Sequence, residues 1–271
     1  MAGMTAPLLP VWADVSKPII GMLHLPPLPG APGFAGDPAA ILTHVLRDAE
    51  ALVAAGVHGL MLENFGDAPF YPSCVPPHTV AHMTRIAREV RGRFDVPLGI
   101  NVLRNDGCSA LAVARAVGAA CVRVNVLCGA RVTDQGVIEG IAHELLRLRA
   151  QLGADDIRIL ADVNVKHSTS LGPPRPLGEE VADLIERGGA DAVIVTGGAT
   201  GRPAELAELE AVKAVAGETP VLVGSGITAE TIGDVLSRAD GAIVGTALKA
   251  GGLAANPVDP ARVRALVAAL P

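Results

Sequence analysis

Aromatic side chains are scarce in this chain: 271 residues include four Phe, one Trp and one Tyr. That is too few for a platform on which nucleic-acid bases stack. Basic charge is also short, with 22 Lys and Arg against 28 Asp and Glu and a formal net charge of -6. Without a basic stripe there is no electrostatic footprint for nucleic acid. No apolar run reaches the roughly 18–20 residues of a membrane span, so any membrane contact would be peripheral. The opening MAGMTAPLLPVWADVSKP has no charged region followed by a long apolar block, and so does not read as a signal peptide. The four cysteines (Cys74, Cys108, Cys121 and Cys128) form no CxxC and no metal-like spacing. Reduced structural thiols in a cytoplasmic protein fit that pattern.

Hydrophobic residues, in contrast, make up 50% of the chain and charged residues 18%, enough to bury a large core. After a stretch of 16 residues that reads as a loose N-terminal arm, a unit of apolar run, loop and helical stretch repeats eight times over 17–271. The runs are PIIGMLHL (18–25), HGLMLENF (58–65), PLGINVLRN (97–105), ACVRVNVLC (120–128), IRILADVNV (157–165), AVIVTGG (192–198), VLVGSG (221–226) and GAIVGT (241–246). Strands this apolar, alternating with helices, argue a parallel sheet covered on its outer face. Eight units in a chain of about barrel length predict one α/β domain, a single (β/α)8 TIM barrel. No GxGxxG follows the first strand, which disfavours a dinucleotide fold.

Helix starts are expected at Asp37-Pro38, His78-Thr79, Asp106-Gly107, Thr133-Asp134, Gly178 and Pro203, with Thr228 opening a further helical segment. Connections from helix to strand are short, whereas those after the first, second and fifth strands are long and proline-rich. Extra loop material at the carboxyl ends of barrel strands is where substrate sites are built.

The last two strands each run into a glycine turn: Gly224-Ser225-Gly226 and Gly245-Thr246. Glycine lets backbone N–H groups approach an anion closely, and paired turns of this kind hold phosphate in barrels. Thr196 and Gly197, at the end of the sixth strand, join the substrate- and phosphate-binding candidates. Strand parity supplies the rest. Asp162, Asn164 and Lys166 share one face of the fifth strand, Arg123 and Asn125 one face of the fourth, and Asn101 lies on the third. His24 ends the first strand, and Glu63 and Asn64 end the second. These faces should point into the barrel. Buried ionic groups cost several kcal/mol unless paired or used. Either a self-contained Arg123–Asp162 pair or a site for a polar anionic molecule would account for them. Asp162, Glu63, His24 and Lys166 are the acid, base or nucleophile candidates. Asn64, Asn101, Arg123, Asn125, Asn164 and Thr196 are the substrate-orienting ones. Asp162, Glu63 and His24 could together hold a divalent metal, although no local motif supports one; no cofactor is implied. Apolar outer helices such as ALAVARAVGAA leave room for a homo-oligomer.

KPIIGMLHLPPLPGAP, GLMLENFGDAPF, PLGINVLRND, RVNVLCGARVTDQG, DVNVKHS, VLVGSGIT and DGAIVGTALK together resemble the BtpA/SgcQ family from Lys17 onward. The resemblance implies a barrel of the ribulose-phosphate-binding type. It implies two functions: photosystem I accumulation in thylakoid-associated cyanobacterial members, and a nucleosidase or sugar-metabolism activity in SgcQ-like ones. The residues favour an enzyme of acid/base chemistry on a phosphorylated sugar or nucleoside-like molecule, of isomerase, lyase or nucleosidase type. The alternative is a non-catalytic photosystem I biogenesis factor, peripheral to a membrane.

Overall fold

The computed structural model describes residues 7–197 and 206–271. In chain order its elements are β1 (Ile19–His24), α1 (Pro38–Ala54), β2 (Gly59–Glu63), α2 (Pro77–Arg93), β3 (Leu98–Asn101), α3 (Gly107–Val117) and β4 (Cys121–Val124). A hairpin of β5 (Ala130–Thr133) and β6 (Gly136–Glu139) follows, then α4 (Ala142–Gln151), β7 (Arg158–Val163), β8 (Ser168–Ser170) and α5 (Leu177–Ala182). The chain ends with β9 (Ala192–Val195), α6 (Leu206–Ala216), β10 (Val221–Val223), α7 (Ile232–Leu236), β11 (Gly241–Val244) and α8 (Pro260–Ala268).

Eight strands close a parallel barrel in the order β1-β11-β10-β9-β7-β4-β3-β2. All eight expected runs supply a barrel strand, each shorter than the run that announced it. Alternation sorts the side chains. Ile19, Leu23, Leu60, Leu62, Ile100, Val122 and Val124 face outward into one core with the helices. Ile20, Met22, Met61, Cys121, Leu160, Ile194, Leu222 and Ile243 fill the inside.

Two expected helix starts give way. Thr133-Asp134 opens no helix. Residues 130–139 pair as a hairpin turning at Asp134-Gln135, where the Thr133 hydroxyl accepts from the Gln135 amide at 3.1 Å and Gly136 takes a φ of 97°. Its β-branched flanks (Val132, Thr133, Val137 and Ile138) suit strands better than a helix start. Thr228 likewise begins a turn rather than a helix: α7 starts at Ile232 and is five residues long. Of the helix expected from Pro203, residues 203–205 lie outside the described residues and α6 begins at Leu206. The described part of the arm is also packed rather than loose. Leu8, Leu9 and Trp12 are buried against the inner core, and Trp12 Nε1 donates to the His58 carbonyl at 2.9 Å. Apolar side chains next to a barrel end bury there because leaving them in water is unfavourable.

One ion pair fixes the last turn. Lys249, fully buried, donates to Asp48 Oδ2 on α1 at 2.8 Å, and Asp48 Oδ1 accepts the Val258 amide at 3.0 Å.

Trp12→Ala should remove the seal and lower stability by about 3–5 kcal/mol, the usual loss for a buried aromatic. Urea unfolding measures it; a change below ~1 kcal/mol would mean that the arm contributes little to the core.

Candidate functional site

Register carries polar residues around the mouth of the barrel. His24 lies beside Glu63, Glu63 beside Asn101, and Asn101 beside Arg123. Inward parity on β7 brings Asp162 to the same layer. Arg123 Nε donates to Asp162 Oδ1 at 3.0 Å and Nη2 to Oδ2 at 3.1 Å; Asn125 Nδ2 donates to Oδ2 at 2.6 Å. Asn101 Nδ2 donates to the Arg123 carbonyl at 3.1 Å. Arg123 and Asp162 are both almost fully buried. The pairing that the sequence held open is therefore made. It leaves Arg123, not Asp162, lining the space above.

That space is a cavity of about 510 Å³ whose walls bring together His24, Glu63, Arg123, Lys166, the 224–228 turn and the 245–247 turn. Gly226 has a φ of 68°, a conformation that other residues rarely adopt. A Cβ on Gly245 would lie 3.1 Å from His24 Cε1, so the glycine admits the imidazole. The amides of Gly226, Thr246 and Ala247 make no backbone hydrogen bond among the described residues. Arg262 on α8 also lines this end of the cavity, its Nη1 donating to the Ala247 carbonyl at 3.3 Å. Sequence reasoning missed Arg262, although a cation in the first turn of the last helix was its available signal.

The titratable groups are held in unusual states. Burial, reinforced by Lys249, pushes the His24 imidazole down to about 3. At neutral pH it is uncharged, so its 3.7 Å approach to Glu63 Oε1 is not an ion pair. Its Nδ1 lies 3.3 Å from the Ala254 carbonyl, which can only accept. The proton is therefore assigned to Nδ1, and Nε2 offers a lone pair toward Glu63. Phe65 stacks on the ring, with centroids 4.5 Å apart. Burial raises the Glu63 carboxyl above its ordinary range, against the pull of Lys166 and Arg123. Burial lowers the Lys166 amine, and Arg123 lowers it further. Arg104 Nη2 donates to the Lys166 carbonyl at 2.6 Å, tying its loop to the β3 side of the barrel.

Other predicted residues lie around this cavity rather than in it. Asn64 is a wall clamp: its Oδ1 accepts the Leu103 amide at 2.7 Å and its Nδ2 donates to Asp67 Oδ2 at 3.1 Å. Asn164 departs from the inward face expected of it. The strand ends at Val163, Asn164 turns left-handed with a φ of 47°, and its exposed side chain binds Arg131 and, at 3.2 Å, Glu208. Lys166 returns to the cavity after that break. Thr196 is buried behind Gly224, and Gly197 is buried just before undescribed residues. Among the described residues no three or more His, Cys, Asp or Glu side chains are grouped to hold a metal ion, and no helix is long and apolar enough to cross a membrane.

The model of the BtpA family matches residues 15–271. The photosystem I biogenesis protein BtpA of Synechocystis is 47% identical over 254 residues, covering 94% of this chain and 88% of that one. An uncharacterized protein of Thermococcus kodakarensis is 46% identical over 93% of this chain and 94% of its own. An uncharacterized mitochondrial protein of Caenorhabditis elegans is 35% identical over 92% and 91%. Among solved structures, phosphoribosyl anthranilate isomerase of Thermus thermophilus superposes with a TM-score of 0.57 at 14% identity, covering 93% of this chain and 98% of that one. A KDPGal structure gives 0.57 at 16% identity, covering 94% and 95%. Likeness at that identity shows the shared barrel.

Asp162→Ala would leave the Arg123 charge buried and unpaired, at a cost of about 3–5 kcal/mol. A urea midpoint unchanged from the parent would refute the pair's role. For His24, the unfolded imidazole takes up a proton as pH falls below about 6.5, while the folded one refuses it until about 3. Stability from this residue is complete above pH 6.5 and is lost as pH falls toward 3. His24→Gln should flatten the drop in melting temperature between pH 7.5 and 4.5; an unaltered drop would contradict the depressed imidazole.

Proposed function

The chain belongs to the BtpA family, and on that footing we propose that it is an enzyme binding a phosphorylated small molecule, a sugar phosphate or nucleoside-like compound, and acting on it by acid/base chemistry at the barrel mouth. The observation carrying this reading is that one cavity holds both glycine turns and the four groups His24, Glu63, Arg123 and Lys166. The phosphate would sit at the turns, with Arg262 adding positive charge. The rest of the molecule would then extend toward Glu63.

Each reactive group has a role matched to its state. Glu63, its carboxyl raised by burial, is the group suited to give a proton as general acid. His24, neutral with Nε2 free of a proton, accepts a hydrogen bond and orients the substrate, since an imidazole that stays unprotonated down to about 3 is a weak base. Lys166, its amine lowered, either steadies an oxyanion or acts as a nucleophile. Arg123, fixed by Asp162, supplies a positive charge that does not titrate. Asp162 acts through Arg123 rather than as the base. Isomerisation, lyase cleavage and glycosidic-bond cleavage all use such a set.

A second reading, a non-catalytic factor of photosystem I biogenesis in peripheral contact with a membrane, is favoured by the name of the Synechocystis relative. The nematode relative argues for something more general, since an animal has no photosystem and yet carries the chain along 92% of its length.

Ribose 5-phosphate or a related sugar phosphate, at about 100 times its Kd, should stabilise the native protein by ~2.7 kcal/mol in a thermal-shift assay. Glu63→Gln should retain that shift and lose about 10²- to 10⁴-fold in turnover once a substrate is found. If no phosphorylated compound shifts the melt, and Glu63→Gln with Lys166→Ala fully restores function to a deletion strain, the scaffold reading replaces the enzyme.

A further inference from the structure

A second cavity, of about 370 Å³, adjoins the first, and Glu63 and Lys166 stand in the walls of both. Its remaining walls differ in character from those of the phosphate end. Phe65, Phe70 and Leu103 make them apolar, and Asn125, Arg104 and Asp134 give polar points. In a chain with four Phe in all, two of them at one small cavity is a concentration that packing of a barrel does not demand. Pockets that recognise small molecules have this composition: apolar faces with a few convergent polar groups.

One of the polar points is incomplete. Asn125 gives its Nδ2 to Asp162, while its buried Oδ1 has no hydrogen-bond partner among the described residues. An unpaired buried acceptor is unfavourable, and a donor on a ligand would relieve it. A sugar phosphate held at the glycine turns would fill the first cavity only and leave this one vacant.

We propose that the second cavity is a subsite for a planar aromatic or heterocyclic group bearing an N–H donor, and that the substrate is a phosphorylated sugar carrying such a ring. This rests on the phosphate-binding reading above. The ring would pack on Phe65 and Phe70 and donate to Asn125 Oδ1, while the phosphate occupies the 224–228 and 245–247 turns. The junction between sugar and ring then falls at Glu63 and Lys166, the two side chains shared by both cavities. Phe65 joins the halves physically, since it lines the ring subsite and stacks on His24 of the phosphate cavity.

Calorimetric titration of Glu63→Gln protein with ribose 5-phosphate, AMP and UMP tests this. At least one ring-bearing ligand should bind about tenfold or more tightly than ribose 5-phosphate, the scale of one base on an aromatic side chain. Phe70→Ala in the same background should abolish that advantage and leave ribose 5-phosphate affinity unchanged, while Phe70→Tyr should keep it. Phe70 is only partly buried, so the substitution spares the core. Ribose 5-phosphate binding with no gain from either ring would overturn the second subsite and leave the phosphate site standing, as would equal weakening of all three ligands by Phe70→Ala. Failure of all three to bind would overturn both.

Discussion

A guanidinium and a carboxylate locked together inside the barrel set the terms for everything above them. Arg123 and Asp162 meet through two parallel hydrogen bonds, with Asn125 as a third donor to the carboxylate. Such geometry makes a buried pair tolerable where a single charge would be expelled. It also plants a permanent positive charge at the floor of the cavity. Lys166 loses its proton more readily in that field, and the same charge restrains the upward drift of Glu63. Burial sets the direction of both shifts, and at both groups the Arg123 charge is partly offset by Asp162.

The placement of Lys166 depends on structure that lies outside the barrel. β5 pairs with both β6 and β8, and β8 begins two residues after Lys166. This three-stranded antiparallel sheet holds one side of the loop, and Arg104 holds its carbonyl on the other. A long connection after a barrel strand thus becomes a fixed wall, which is how a rigid site is kept on a loop.

The barrel was legible because strand and helix alternate with strong apolar runs, and nothing competes with that pattern. The floor of the site was legible for the same reason: parity correctly placed Arg123, Asn125 and Asp162 on inward faces. It failed where the strand stopped. Asn164 turns left-handed after Val163, and beyond such a turn parity carries no information; Lys166, which spacing also placed inward, reaches the cavity from the loop rather than along the strand. Local competition hid the hairpin, since Thr133-Asp134 also resembles a helix cap. Burial and distant neighbours made the chemistry of His24: a lone imidazole in the sequence gives no sign of the Lys249 charge that helps lower it, or of the Ala254 carbonyl, 230 residues away, that fixes its tautomer. Phe65 and Phe70 gave no signal as cavity-lining residues because loops bring them in, and Arg262 gave only its charge in the first turn of a distant helix.

The first and last strands of this chain are neighbours: Ile19 pairs with Ala242, and Lys17 donates to the Ala239 carbonyl, 222 residues away. The ribosome delivers the chain from its N-terminus, so β1 waits for its partner until nearly the whole protein has been made. During that interval the nascent sheet has open edges, and Leu8, Leu9 and Trp12 have no finished barrel end to cover. Open edges are templates for pairing between chains. A chain interrupted before Val244 would therefore leave β1 paired on one side only and present an open edge to other chains.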